Sequence, residues 1–146
     1  MSVFIDTGVF VAYVNKSDEH HGDATSLLES IMKDEYGAPF TSDYVFDEVV
    51  TVALRRTKRP AKAHEAGTLI LGDEKKKIPR FVNILQVTRD VFNDAWNLFH
   101  AYPEKRLSFT DCTSISLMHK RSIDYIASFD EDFDGIVTNI FREISS

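Results

Sequence analysis

The stretch Val3-Phe4-Ile5-Asp6-Thr7-Gly8-Val9-Phe10-Val11-Ala12-Tyr13-Val14 decides how the rest of the chain is read. An apolar run over 3–5 stops at Asp6-Thr7-Gly8, and a second run begins at once over 9–14. A short apolar run, a polar turn and a longer apolar run read as strand, turn and short helix. Working outward, Ala24, Leu27, Leu28 and Ile31 recur at helical steps. They predict a helix over 18–34, with Ser17 or Asp18 as its cap. Gly37-Ala38-Pro39 interrupts that pattern, and Phe40-Thr41 reads as a brief buried strand. The clearest helix spans 43–57, where Val45, Val49, Val52 and Ala53 share one face. Pro60 ends it, and a further helix is expected over 61–74.

Residues 81–87 alternate as a strand does. Thr88 or Asp90 opens a helix that runs to Tyr102 and stops before Pro103. A helix over 110–121, a strand over 125–129 and an edge strand over 141–144 complete the reading. Strands alternating with helices imply an α/β fold, with a mainly parallel sheet covered by helices on both faces. No repeat, low-complexity segment or linker interrupts residues 1–146, so one domain is expected.

Composition narrows the function. The chain is 43% hydrophobic and 27% charged, the balance of a globular protein rather than a disordered one. The single cysteine, Cys112, cannot close an internal disulfide. Its neighbour Asp111 disfavours a thiolate, so a buried structural thiol is expected. No run reaches the ~18–20 apolar residues of a membrane span, and the N-terminus lacks the basic start of a signal peptide. A cytoplasmic location and no membrane partner are the expectations. The formal net charge of −6 disfavours binding nucleic acid by phosphate neutralisation alone. It leaves open an enzyme that reaches phosphates through a cation.

Ligands of open parallel sheets bind beyond the carboxyl ends of the strands. Asp6 ends the first strand, Asp111 opens a helix and Asp130 follows the strand that ends at Phe129. Glu48 sits at the margin of the apolar face of the 43–57 helix, while Asp47 points to solvent. Taken singly, each aspartate could be a helix cap and Glu48 a solvated side chain. Together they raise a problem of repulsion that a cation resolves. Hard oxygen ligands suit Mg²⁺ or Mn²⁺, and such an ion activates water and polarises a phosphodiester.

Four segments carry a resemblance. Phe4-Ile5-Asp6-Thr7-Gly8-Val9-Phe10 resembles the opening strand motif of PIN-domain proteins. Ser42-Asp43-Tyr44-Val45-Phe46-Asp47-Glu48-Val49 looks like that family's glutamate-bearing helix. Leu107-Ser108-Phe109-Thr110-Asp111-Cys112 is similar to its third acidic motif. Ile126-Ala127-Ser128-Phe129-Asp130-Glu131-Asp132-Phe133 resembles its closing motif. The resemblance implies a three-layer α/β/α sandwich with a parallel sheet of four or five strands. It implies Asp6, Glu48, Asp111 and Asp130 as catalytic residues around Mg²⁺ or Mn²⁺. Asp6 and Asp111 would be direct ligands, and Glu48 and Asp130 would ligate or act through water. Thr7 and Ser128 would support the site by hydrogen bonds, with Ser128 standing where threonine is more usual and Asp132 a rival to Asp130. It also implies an endoribonuclease acting on RNA. Chains of this length in the family are often VapC-type toxins, homodimeric and silenced by a VapB-type antitoxin. The alternative is a PIN-like binding module without activity.

Arg55, two turns beyond Glu48, is the expected phosphate contact. The clusters 55–62, 75–80 and 105–106 read otherwise as solvated helix ends. The five histidines lack zinc-ligand spacing and read as surface or packing residues. Phe92, Trp96 and Phe99 read as core or dimer contacts, and helices 9–14 and 43–57 as further interface candidates. Asp6-Thr7-Gly8 invites comparison with aspartic proteases, but those are mostly β. An aspartyl phosphatase wants a second Asp where Gly8 stands, and a receiver domain wants paired acids where Ile5 stands.

Overall fold

A computed structural model describes residues 1–145. The elements are β1 (Ser2–Ile5), α1 (Thr7–Val14), α2 (His21–Met32), β2 (Ala38–Ser42), α3 (Asp43–Thr57) and α4 (Pro60–Leu71). There follow β3 (Asn83–Leu85), α5 (Arg89–Ala101), α6 (Phe109–Arg121), β4 (Tyr125–Ala127), a 3-10 turn over Glu131–Phe133, and α7 (Ile140–Ser145). The four strands pair in the order β3-β2-β1-β4, every pair parallel. The fold is the expected three-layer α/β/α sandwich.

Successive residues of a strand face opposite sides of the sheet. Val3, Phe4 and Ile5 are all fully buried, so β1 is covered on both faces. α1 packs on α2, α3 and α4, while α5 packs on α6. The first apolar helix is core rather than an interface, with Val9, Phe10, Val11 and Ala12 fully buried. The strand order reverses direction at β1, which lies between β2 and β4. A crevice opens at such a reversal beyond the carboxyl ends of the strands. Asp6 is the first residue past β1, and its N–H donates to the Ala127 carbonyl of β4 at 3.1 Å.

Most helix starts follow from capping chemistry. Ser42, Thr88 and Ser108 each accept a hydrogen bond from the backbone N–H three residues on. Three expectations are corrected. Residues 141–144 lie in helix α7, not an edge strand. Asn139 starts it by accepting from the Phe141 N–H at 3.1 Å, and Ile140 is buried as the anchor. The second helix begins at His21, later than 18, because Asp18 turns the chain by accepting from the His20 N–H at 2.9 Å. Phe92, Trp96 and Phe99 are exposed on α5, so none is core. Trp96 stacks on Phe99, and the Arg89 guanidinium sits over Phe92.

Candidate active site

A cleft of about 730 Å³ opens beyond β1 and β4, and Asp6, Glu48, Asp111 and Asp130 all line it. Four elements deliver them. The chain leaving β1 brings Asp6, α3 brings Glu48, the first turn of α6 brings Asp111, and the turn after β4 brings Asp130. Asp47 is exposed, as its position on the wheel requires. Asp132 does not line the cleft, and its N–H instead donates to Asp130 Oδ1 at 2.9 Å.

Local hydrogen bonds fix the three aspartates. Asp111 completes a capping box with Ser108: the Ser108 N–H donates to Asp111 Oδ2 at 2.9 Å, and the Asp111 N–H donates to Ser108 Oγ at 3.0 Å. One carboxylate oxygen is spent on the cap and Oδ1 is left for the cleft. Ser128, fully buried, donates its hydroxyl to Asp6 Oδ2 at 2.7 Å and accepts from the Asp130 N–H at 3.0 Å. It therefore joins two of the four acids. Asn139, 4% exposed, clamps the Ser128 peptide from both sides. Its Oδ1 accepts from the Ser128 N–H at 3.3 Å, and its Nδ2 donates to the Ser128 carbonyl at 2.9 Å. The Thr7 hydroxyl is buried without a hydrogen-bond partner, so the support expected of Thr7 and Ser128 falls within the protein to Ser128.

The electrostatics are those of acids crowded out of water. Burial pushes the Asp6 carboxyl up from 3.8 to about 6, against the Ser128 hydroxyl and the Thr7 N–H, with Glu48 and Asp130 adding repulsion. Asp111 rises from 3.8 to about 7, first by burial and then by repulsion from Asp6, with the Ser108 N–H opposing. Asp130 is also raised, mainly by burial. The same burial, with Asp111 beside it, pushes the Cys112 thiol up to about 11, which suits an inert structural cysteine.

These residues fit a hard divalent cation. Asp6 Oδ1 and Thr7 Oγ1 are buried polar atoms without partners in the protein, at the lining of an acidic cleft. Among the described residues, no three acidic, histidine or cysteine side chains converge into a ready-made cage. Repulsion favours that separation. Mg²⁺ keeps several of its waters and needs only one or two carboxylates directly.

Positive charge enters the cleft at Arg56 and Arg106. Arg56 Nη1 lies 3.7 Å from Asp18 Oδ2. Arg55 is exposed on α3 and does not line the cleft, so the adjacent arginine occupies the place expected of it. His20, read with the other histidines as a surface or packing residue, also lines the cleft. Arg56, Arg106, His20 and Asn139 are the site residues the sequence alone did not single out. The Asn139 side chain joins segments 11 residues apart, and only the turn after β4 reveals why.

Residues 3–137 match the family model described as PIN domain. The chain belongs to the PIN-domain family. Among curated proteins it is 30% identical over 133 residues to the 23S rRNA-specific endonuclease VapC20 of Mycobacterium tuberculosis, covering 91% of this chain and 92% of that one. It is 28% identical over 134 residues to a VapC ribonuclease of Archaeoglobus fulgidus, covering 91% and 80% respectively. The crystal structure of Mycobacterium tuberculosis VapC20, a sarcin-ricin loop cleaving toxin, superposes with a TM-score of 0.76 over 90% of this chain and 92% of that one. The structure of VapBC2 from Rickettsia felis shares the PIN fold at 12% identity, with a TM-score of 0.64 over 95% of this chain and 97% of that one. The four motifs quoted from the sequence bring all four acids of this PIN domain to one cleft.

Proposed function

We propose that this PIN-domain chain is a metal-dependent endoribonuclease, the toxin of a VapBC-type pair. The observation that carries the reading is the pair Asp6 and Asp111. Both are buried and line one cleft with raised proton affinity, and Asp6 Oδ1 has no partner in the protein, which supports a cation there. Mg²⁺ or Mn²⁺, when bound, would supply Lewis-acid polarisation of a phosphodiester and a more acidic water. Asp6 and Asp111 would hold it directly. Glu48 and Asp130 would orient the attacking water and accept its proton. Ser128, through Asp6 Oδ2 and the Asp130 N–H, keeps two of the carboxylates in register. Arg56 and Arg106 would bind the phosphates flanking the scissile one.

The relatives support the reading at the level of their names. Ribosomal RNA is the first substrate to test, because a relative 30% identical is named 23S rRNA-specific. A VapB-type antitoxin, a homodimer and a cytoplasmic location belong to the same proposal. The exposed aromatics of α5 offer apolar surface to a protein partner. Among the described residues, no helix is long and apolar enough to cross a membrane.

The test is cleavage of total RNA by the purified protein in Mn²⁺, Mg²⁺ or EDTA, with Asp111→Asn as control. Metal-dependent cleavage that the variant lacks is the expected result. A correctly folded protein that cleaves nothing while binding RNA equally well in EDTA would favour a binding module without activity.

A further inference from the structure

The nuclease reading assigns roles to carboxylates and arginines but leaves the aromatic wall of the cleft unused. That wall is built from three rings. The His20 imidazole lies flat on Phe129, with centroids 4.4 Å apart and planes 10° from parallel. Phe141 packs edge-on against Phe129 at 4.8 Å and edge-on against His20 at 6.2 Å, which braces the pair from α7. Phe129 is the residue before Asp130, so the stack is tied to one of the four acids. His20 and Phe129 both line the cleft with Asp6, Glu48, Asp111 and Asp130.

The ring's edge and face have different surroundings. His20 Nε2 lies 3.6 Å from a Glu19 carboxylate oxygen and Nδ1 lies 3.8 Å from one of Asp23. Both nitrogens are thus turned toward acids of their own segment. One face is covered by Phe129, and the side chain keeps 35% of its surface exposed. What His20 brings to the lining of the cleft is a ring braced flat on Phe129. Sequence-tolerant stacking of nucleobases on such faces is a general means of gripping single-stranded nucleic acid.

Resting on the nuclease reading, we propose that His20, stacked on Phe129, is a nucleobase platform. It would hold an unpaired base next to the phosphate at the acidic site.

The test pairs two readouts on the full chain. Single-stranded RNA 12-mers carrying 2-aminopurine at successive positions are titrated onto Asp111→Asn, alone and combined with His20→Ala or His20→Phe. Cleavage of total RNA in Mn²⁺ is followed in parallel for the two His20 variants with Asp111 intact. Expected is quenching at one register in the parent, kept by His20→Phe, and lost by His20→Ala together with about ten-fold in affinity. Cleavage should follow, lowered in His20→Ala and kept in His20→Phe. Cleavage equal to the parent's in His20→Ala, or His20→Phe as impaired as His20→Ala, overturns the platform while leaving the nuclease intact. Register-specific quenching without any cleavage would sustain the platform and sink the nuclease. An absence of both would sink the two together.

Discussion

Asp111→Asn should make the metal-free protein more stable at neutral pH, although it removes a residue of the candidate active site. The Asp111 carboxyl is raised from 3.8 to about 7, chiefly by burial and then by Asp6. The folded chain therefore holds a proton more tightly than the unfolded one. Between those two values the folded state binds more protons, so stability falls as pH rises through the window. The stabilising contribution is fully present below about pH 4 and gone above about pH 7. At roughly 1.4 kcal/mol per pH unit, ionising Asp111 in the fold costs at most about 4 kcal/mol by pH 7.5. Repulsion by Asp6 is shared between the two groups, so about 2–3 kcal/mol is the expected gain from the substitution. Asparagine still offers an oxygen to the Ser108 N–H, so the capping box is kept. Thermal unfolding in EDTA should show the variant higher by about 4–12 °C at pH 7.5, at roughly 2–4 °C per kcal/mol for a chain of this size. The gap should shrink by more than half at pH 5. Added Mn²⁺ should raise the parent and not the variant. A variant no more stable than the parent, or a gap of the same size at both pH values, would refute the reasoning.

Other perturbations read other joints of the site. Ser128→Ala strands Asp6 Oδ2 and the Asp130 N–H; it should cost about 1–3 kcal/mol in chemical denaturation and weaken the Mn²⁺-induced thermal shift. Asn139→Ala should cost a similar ~1–3 kcal/mol, because it frees both polar groups of the buried Ser128 peptide. Arg56→Ala should lower RNA affinity and flatten its salt dependence, whereas Arg55→Ala should leave both nearly unchanged in filter binding. Phe4→Ala on the central strand should cost about 3–5 kcal/mol by denaturant titration, with no direct contact to the site.

The fold was legible where local chemistry and pattern agree. Helix α3 runs over 43–57 as its apolar face requires, with Ser42 capping it and Lys58 in a left-handed conformation ending it. The parallel sheet followed from alternation alone. β3 and β4 are shorter than the runs over 81–87 and 125–129, in β4 because pairing ends where Ser128 turns into the site, whereas β2 extends on both sides of Phe40-Thr41. Helix α7 was missed because Phe141-Arg142-Glu143-Ile144 suits either period at such short length, and its capping signal, Asn139, lies outside the run. The four acids were legible because their motifs are local. Arg55 and Arg56 are separated by only 100° on the helix, and nothing in the sequence says which side of Glu48 the cleft takes. His20 was hidden for a different reason. Its partner Phe129 lies more than a hundred residues away, so the stack exists only once β4 is laid beside β1.

The most direct test of the account is to locate Mn²⁺ by anomalous scattering in crystals of the protein. The account predicts one principal peak at about 2.0–2.3 Å from Asp6 Oδ1 and an Asp111 oxygen, with waters linking it to Glu48 and Asp130. It also predicts that the peak vanishes in Asp6→Asn. Manganese bound away from Asp6 and Asp111, or no peak in the cleft at millimolar metal, would contradict it.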